Sequence, residues 1–148
     1  MPVNCPFCKI ADGTSQAFTV FEDQDLLAFV DRSPIRRGHL QIIPKTHFDY
    51  FDDLPPELSC KILHLGQRLA RHLKRLYRVE RVGFVLTGGD VNHVHAHVIP
   101  LHEKTDITSR QYIVEKHVTL SAAKRLPDAE AEEVAKEILE DFESYERL

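Results

Sequence analysis

The chain is short of cysteine, carries no surplus of positive charge and has no long apolar run. Its three cysteines, Cys5, Cys8 and Cys60, are an odd number, which argues against a framework of disulfides. The net charge is −4, so the basic coat of a protein built to neutralise nucleic-acid phosphates is missing. No apolar stretch reaches the roughly 20 residues of a membrane-spanning helix, and the N-terminus lacks the pattern of a secretory signal. A cytoplasmic protein with neither nucleic-acid nor membrane partners is therefore expected. There is no internal repeat or low-complexity segment, and no glycine follows Gly89. The 148 residues, 43% of them hydrophobic, suffice for one packed domain.

The unusual stretch is Asn92 to Pro100, Asn-His-Val-His-Ala-His-Val-Ile-Pro. In a strand, alternate side chains share a face at spacings of about 6.5–7 Å. A helix would instead scatter the imidazoles by about 200° per step. The β-branched content favours the strand, with His93, His95 and His97 on one face and Val94, Ala96 and Val98 toward the core. Gly88-Gly89-Asp90 turns the preceding strand, Val82 to Thr87, into this one as an antiparallel neighbour, and Pro100 limits its run. Neutral imidazole is a nucleophile, a general base or a metal ligand near neutral pH. A merely solvated, histidine-rich strand fits poorly with strict alternation in an apolar run.

Cys5-Pro-Phe-Cys8 supplies half of a tetrahedral zinc site. A redox pair of the thioredoxin type opens a helix after a strand, whereas only four residues precede this one; two unconnected thiols remain the plain alternative. Ala17 to Phe21 and Leu26 to Val30 read as a hairpin through Glu22–Asp25. Asp31 follows it and is by default a turn former. The basic loop Arg36-Arg37-Gly38 is either solvated charge or a cationic guide for an anionic ligand. A third strand runs from Gly38 to Pro44, and His47 just beyond is the best candidate for a third zinc ligand. Pro55 to Tyr77 is the one long helix, capped by Asp53, with Leu58, Ile62, Leu65, Leu69, Leu73 and Leu76 as its apolar stripe. Cys60 on that helix reads as a semi-buried thiol. The amides of the Gly88-Gly89 turn can approach phosphate closely. Ile113 to Leu120 suggests another strand. Asp128 to Leu148 reads as an acidic amphipathic helix, with Val134, Ile138, Leu139, Phe142 and Tyr145 on one side and its carboxylates in solvent.

Taken together these segments resemble the histidine triad (HIT) family of nucleotide hydrolases and transferases. His93-Val94-His95-Ala96-His97-Val98-Ile99 matches the family's His-φ-His-φ-His-φ-φ motif, φ being apolar. Leu27 to Asp31 with Ser33-Pro34 resembles its nucleoside-binding segment, and Gly38-His39 with Ile42 to His47 its next strand. Cys5 to Ile10 is similar to the knuckle of its zinc-containing members. The resemblance implies an α+β fold: a mainly antiparallel sheet, one long packed helix and, here, a C-terminal helical extension. The core would cover about residues 4–105 and the extension about 106–148 of a single domain. It implies a homodimer whose sheets join, acting on purine nucleotide conjugates such as phosphoramidates or dinucleoside polyphosphates. In that scheme His95 attacks the α-phosphorus, His97 holds phosphate oxygens or protonates the leaving group, and a main-chain carbonyl fixes the His95 tautomer. Asp31 binds the ribose, Phe29 and Ile10 sandwich the base, and a structural zinc sits on Cys5, Cys8, His47 and His93. Many members carry Gly-Gln-Ser before the triad; this chain has Gly88-Gly89-Asp90-Val91-Asn92, which leaves Thr87, Gly89 and Asn92 as its polar groups for the phosphate. Two rivals stay open: a cupin-like enzyme using the histidines as metal ligands, with Glu103 as the nearest carboxylate, and a non-catalytic nucleotide-binding protein of the same fold.

Overall fold

Period-2 alternation gives the central strands one apolar face and one mixed face, and the helices cover the apolar one. In this computed structural model residues 4–87, 91–103, 106–107 and 125–146 are described. A short helix α1 (Pro6–Ala11) precedes β1 (Thr19–Glu22), β2 (Leu26–Val30) and β3 (Leu40–Pro44). The long helix α2 (Pro56–Leu76) leads to β4 (Arg81–Thr87) and β5 (His95–Leu101), and α3 (Asp128–Glu146) follows. The strands form one sheet in the order β1-β2-β3-β5-β4, with every pairing antiparallel. This is the α+β arrangement expected from the sequence.

One face of the sheet, carrying Val20, Leu26, Ala28, Val30, Leu40, Ile42, Ala96 and Val98, packs under both helices. The α2 stripe delivers Ile62, Leu65, Leu69 and Leu73, each at most 3% exposed, and burying side chains of this size stabilises by about 1.5–3 kcal/mol apiece. Helix α3 adds Ala131, Val134, Ile138 and Phe142 to the same core. The other face holds a smaller cluster of Cys5, Phe7, Cys8, Leu27, Phe29 and Ile43. No helix among the described residues is long and apolar enough to cross a membrane.

Several local expectations are corrected. Asp53 does not cap α2: it closes a 3₁₀ turn, Phe51–Asp53, and the cap position is Pro55, which offers no side-chain hydrogen bond. Cys60 is exposed, not semi-buried, because it lies off the apolar stripe. The first strand begins two residues late, at Thr19. His93 is not in the histidine strand. β5 starts at His95, while the N–H of His93 donates to the Val91 carbonyl and that of Val94 to Phe48, both at 2.8 Å. The strand does run through Pro100 to Leu101; Pro100 pairs with Val82 of β4, while the β3 ladder involves only Ala96 to Val98. The possible strand at Ile113–Leu120, Asp90 and the side chain of Tyr145 lie outside the described residues.

Helix α2 approaches β4 closely at Gly66, where a Cβ would meet the Phe84 ring at 2.4 Å. Gly66→Ala should therefore destabilise by about 1–3 kcal/mol through overpacking, despite alanine's better helix propensity. Urea unfolding of the variant, with and without a compensating Phe84→Leu, checks this.

Candidate active site

The sheet face opposite the main core gathers the chemistry. Register places Gln41 of β3 beside both Phe29 of β2 and His97 of β5, so these three side chains share one surface. His95 is 4% exposed and its Nδ1 lies 2.7 Å from the His93 carbonyl oxygen. A carbonyl only accepts, so Nδ1 carries the proton and Nε2 the lone pair. The expected carbonyl is thus the one belonging to His93. His97 is next along the strand, its ring centroid 4.9 Å from that of His95.

His39 completes this chain and was missed as a site residue. The N–H of Ile35 donates to His39 Nδ1 at 3.2 Å, and His39 Nε2 lies 2.8 Å from His97 Nδ1. Since Nδ1 accepts, the neutral ring is protonated at Nε2 and donates to His97 Nδ1, which puts the His97 proton on Nε2. Burial is the main cause that pulls His39 down to about 4, against the nearby Asp31 carboxylate, so the ring is neutral at pH 7. Gly38 makes the approach possible: its φ is +85° and a Cβ there would meet the Tyr77 ring at 2.2 Å, so only glycine fits. Asp31 is 7% exposed. Its Oδ1 accepts from the Ser33 N–H and its Oδ2 from Gln41 Nε2, both at 2.7 Å. Gln41 was also missed; alternation along β3 is the signal that marks it.

The knuckle docks at the other end. Cys5 caps α1, and Phe7 between the cysteines packs edge-on against His95 at 5.2 Å, Phe29 at 5.7 Å and His93 at 5.9 Å between centroids. Ile10 packs against the same cluster. Ligand atoms of Cys5, Cys8, His47 and His93 all lie within 4.8 Å of one another. Cys5 Sγ is 3.4 Å from His93 Nδ1; Cys8 Sγ is 3.2 Å from His47 Nδ1 and 3.6 Å from His93 Nδ1; the two Nδ1 atoms are 3.2 Å apart. Tetrahedral zinc with ordinary bond lengths sets N–N edges of about 3.3 Å and S–N edges of about 3.5 Å, so the donor set fits. The outer nitrogens agree. His93 Nε2 donates to the Pro44 carbonyl at 2.8 Å and His47 Nε2 faces the Asp49 carboxylate at 3.0 Å, which leaves both Nδ1 atoms with lone pairs. Two lone pairs 3.2 Å apart repel unless a cation lies between them. Burial first, then the Cys5 thiol, raise Cys8 to about 11; a bound cation reverses this by holding the sulfur as thiolate.

Asp31, His39 and His97 also group closely, but the Ile35 N–H occupies the His39 Nδ1 lone pair, so this trio is a hydrogen-bonded chain and not a chelating set. Asn92 is exposed and Val91 half-buried. Gly89 and the side chain of Thr87 lie outside the described residues. The Arg36-Arg37 loop is paired as well as solvated: Arg36 pairs with Asp106, and Arg37 with Glu130, Glu133 and Glu137 of α3.

Because His39 is held neutral in the fold, while its ordinary value of 6.5 applies when unfolded, its contribution is fully present above pH 6.5 and is lost as pH falls toward 4. Thermal melts of His39→Gln should show a shallower loss of Tm between pH 6.5 and 4.5 than the parent chain.

Comparison with known proteins follows the same lines. The HIT domain profile matches residues 12–104. An uncharacterized HIT-like protein of Methanocaldococcus jannaschii is 37% identical over 103 residues, 67% of this chain and 80% of that one. The adenosine 5'-monophosphoramidase of Saccharomyces cerevisiae is 34% identical over 101 residues, 68% of this chain and 64% of the enzyme. The crystal structure of a Zn-bound histidine triad family protein from Mycobacterium smegmatis has a TM-score of 0.77 at 28% identity, covering 97% of this chain and 96% of that one. With its motif, sheet and histidine geometry accounted for, the chain belongs to the HIT domain family.

Proposed function

We propose that the chain cleaves purine nucleotide conjugates, phosphoramidates or dinucleoside polyphosphates, at the α-phosphate through a nucleotidyl intermediate on His95. The observation that carries this reading is the 2.7 Å hydrogen bond from His95 Nδ1 to the His93 carbonyl, which keeps the Nε2 lone pair as the nucleophile. In the first step Nε2 attacks phosphorus, a P–N bond forms and the bond to the leaving group breaks; the departing amine or phosphate takes its proton from water. In the second, water adds to phosphorus, the P–Nε2 bond breaks, and a nucleoside monophosphate leaves with His95 restored. His97 acts as a hydrogen-bond donor from Nε2–H to the phosphoryl oxygens. Releasing that proton would leave an anionic ring, so its hydrogen bonding favours electrostatic stabilisation over acid catalysis. Asp31 accepts from the ribose hydroxyls, and Phe29 and Ile10 flank the base. Thr87, Gly89 and Asn92 are assigned to the phosphate from the family resemblance alone. That the yeast relative is an adenosine 5'-monophosphoramidase supports a phosphoramidate.

Zinc on Cys5, Cys8, His47 and His93 is structural in this reading: four protein ligands close its shell. A homodimer joined along β4 fits that strand's place at the sheet edge, where Leu86 is 38% exposed; light scattering at micromolar concentration tests it.

His95→Ala should lower turnover of an adenosine phosphoramidate by at least about 1,000-fold, as for loss of a covalent nucleophile, with AMP binding retained. Acid-labile nucleotidyl-protein should be trapped on the parent chain only; AMP binding without turnover in the parent would instead mark a binding protein. Asp31→Ala should weaken AMP binding by about 1–3 kcal/mol, measured by calorimetry. Elemental analysis of untagged protein should find one zinc per chain, and Cys5→Ser with Cys8→Ser should abolish it and lower Tm. Turnover that needs added metal would favour the metal-ligand rival.

A further inference from the structure

We infer that Arg36 and Asp106 form a clasp that positions His39 and Asp31 against the histidine strand, an inference that rests on the nucleotide site proposed above. Residues 31–39 join β2 to β3 and carry both a ribose-type carboxylate and the histidine that orients His97. The loop is closed at its base by the Asp31 N–H donating to the His39 carbonyl at 2.9 Å, and inside by the His39 N–H donating to the Arg36 carbonyl at 3.0 Å. Its three arginines all reach toward later carboxylates, but not equally.

Arg32 meets Asp128, whose side chain is 68% exposed, and the Arg37 partners Glu130, Glu133 and Glu137 are 50%, 71% and 35% exposed. Pairs this wet are screened and hold little. The Asp106 side chain is 4% exposed. Its Oδ1 accepts from Arg36 Nε at 2.9 Å and Nη2 at 2.6 Å, and its Oδ2 from the N–H groups of His102 at 2.8 Å and Glu103 at 2.9 Å. Burial alone would raise this carboxyl, yet the Arg36 guanidinium and the two N–H groups bring it down to about 2, so it is ionised at neutral pH. The clasp therefore fastens Arg36, whose carbonyl holds the His39 backbone, to the chain just beyond β5, which carries His97. Both partners of the 2.8 Å His39–His97 contact are fixed by one sealed carboxylate.

The test uses the full chain with Asp106→Asn, Arg36→Gln and Arg36→Lys, and Glu133→Gln with Glu137→Gln as the exposed control. Calorimetry gives AMP affinity, steady-state kinetics give turnover of an adenosine phosphoramidate, and ¹⁵N NMR reads the ring nitrogens of His39 and His97. Asp106→Asn and Arg36→Gln should shift those ring signals, weaken AMP by about threefold to tenfold, and lower turnover by about tenfold to 100-fold through misplacement alone. Arg36→Lys should recover part of each effect, since a point charge replaces a bidentate fork. The control should stay within about twofold of the parent, as exposed pairs do. Unchanged ring signals and AMP affinity in a folded Asp106→Asn or Arg36→Gln protein overturn the clasp. If Asp106→Asn does not fold, the ring signals of Arg36→Lys decide. If the parent turns over no conjugate, the functional reading fails, while the ring signals still decide the clasp.

Discussion

Everything in the site hangs on the way His93 is held. Its ring offers Nδ1 to a set of three other ligand atoms and anchors Nε2 on the Pro44 carbonyl, while its own backbone oxygen accepts a hydrogen bond from Nδ1–H of the next histidine. One residue thus joins the N-terminal knuckle to His95 through a rigid peptide plane. It manages this because it is not in the ladder. A strand residue would spend its carbonyl on a neighbouring strand, whereas His93 sits in the turn before β5 and is fully buried. A cation at the knuckle would fix the ring, and the ring's fixed place would fix the orientation of His95.

The sheet acts as a partition. Helices α2 and α3 seal one face with aliphatic side chains, and that packing holds the backbone from which Phe29, Gln41, His95 and His97 project on the other face. The site therefore has little need of an apolar core of its own. It takes Phe7 from the knuckle and Ile43 from β3, and fills other positions with polar groups, several of them bonded to one another, such as Asp31 with Gln41 and His39 with His97, while Gln41 Oε1 is buried without a partner among the described residues. Buried polar groups of this kind are costly unless satisfied. Satisfying them pins every ring to one tautomer.

The parts legible in the sequence were those in which spacing and chemistry are local. Alternation placed Val94, Ala96 and Val98 in the core, steps of three and four found the α2 stripe, and Cys5 with Cys8 announced a donor pair. His47 as their companion came from its place just past the third strand and His93 from likeness to a family, and the fold brings all four together. His39 and Gln41 escaped because their meaning lies in pairing across strands: one reads as a residue after a glycine, the other as a polar break in an apolar run, until β3 is laid beside β5. The role of Arg36 was hidden for the same reason, since Asp106 lies 70 positions away. Asp53 misled because a capping-type residue near two prolines is equally at home in a 3₁₀ turn. The strand limit at His95 was missed because side-chain alternation continues through His93 even after the ladder has ended.

The place of β5 inside the sheet has a further bearing. Ala96 to Val98 are paired on both sides, with β3 and β4, while His95 pairs only with Thr87 of β4. Strand β4, by contrast, forms the border of the chain's own sheet and can fray alone. In hydrogen exchange the amides of Ala96 to Val98 should be slower than those of β4, although functional segments are usually drawn from the least stable regions. The candidate site is thus carried in part on an interior strand and not on loops alone.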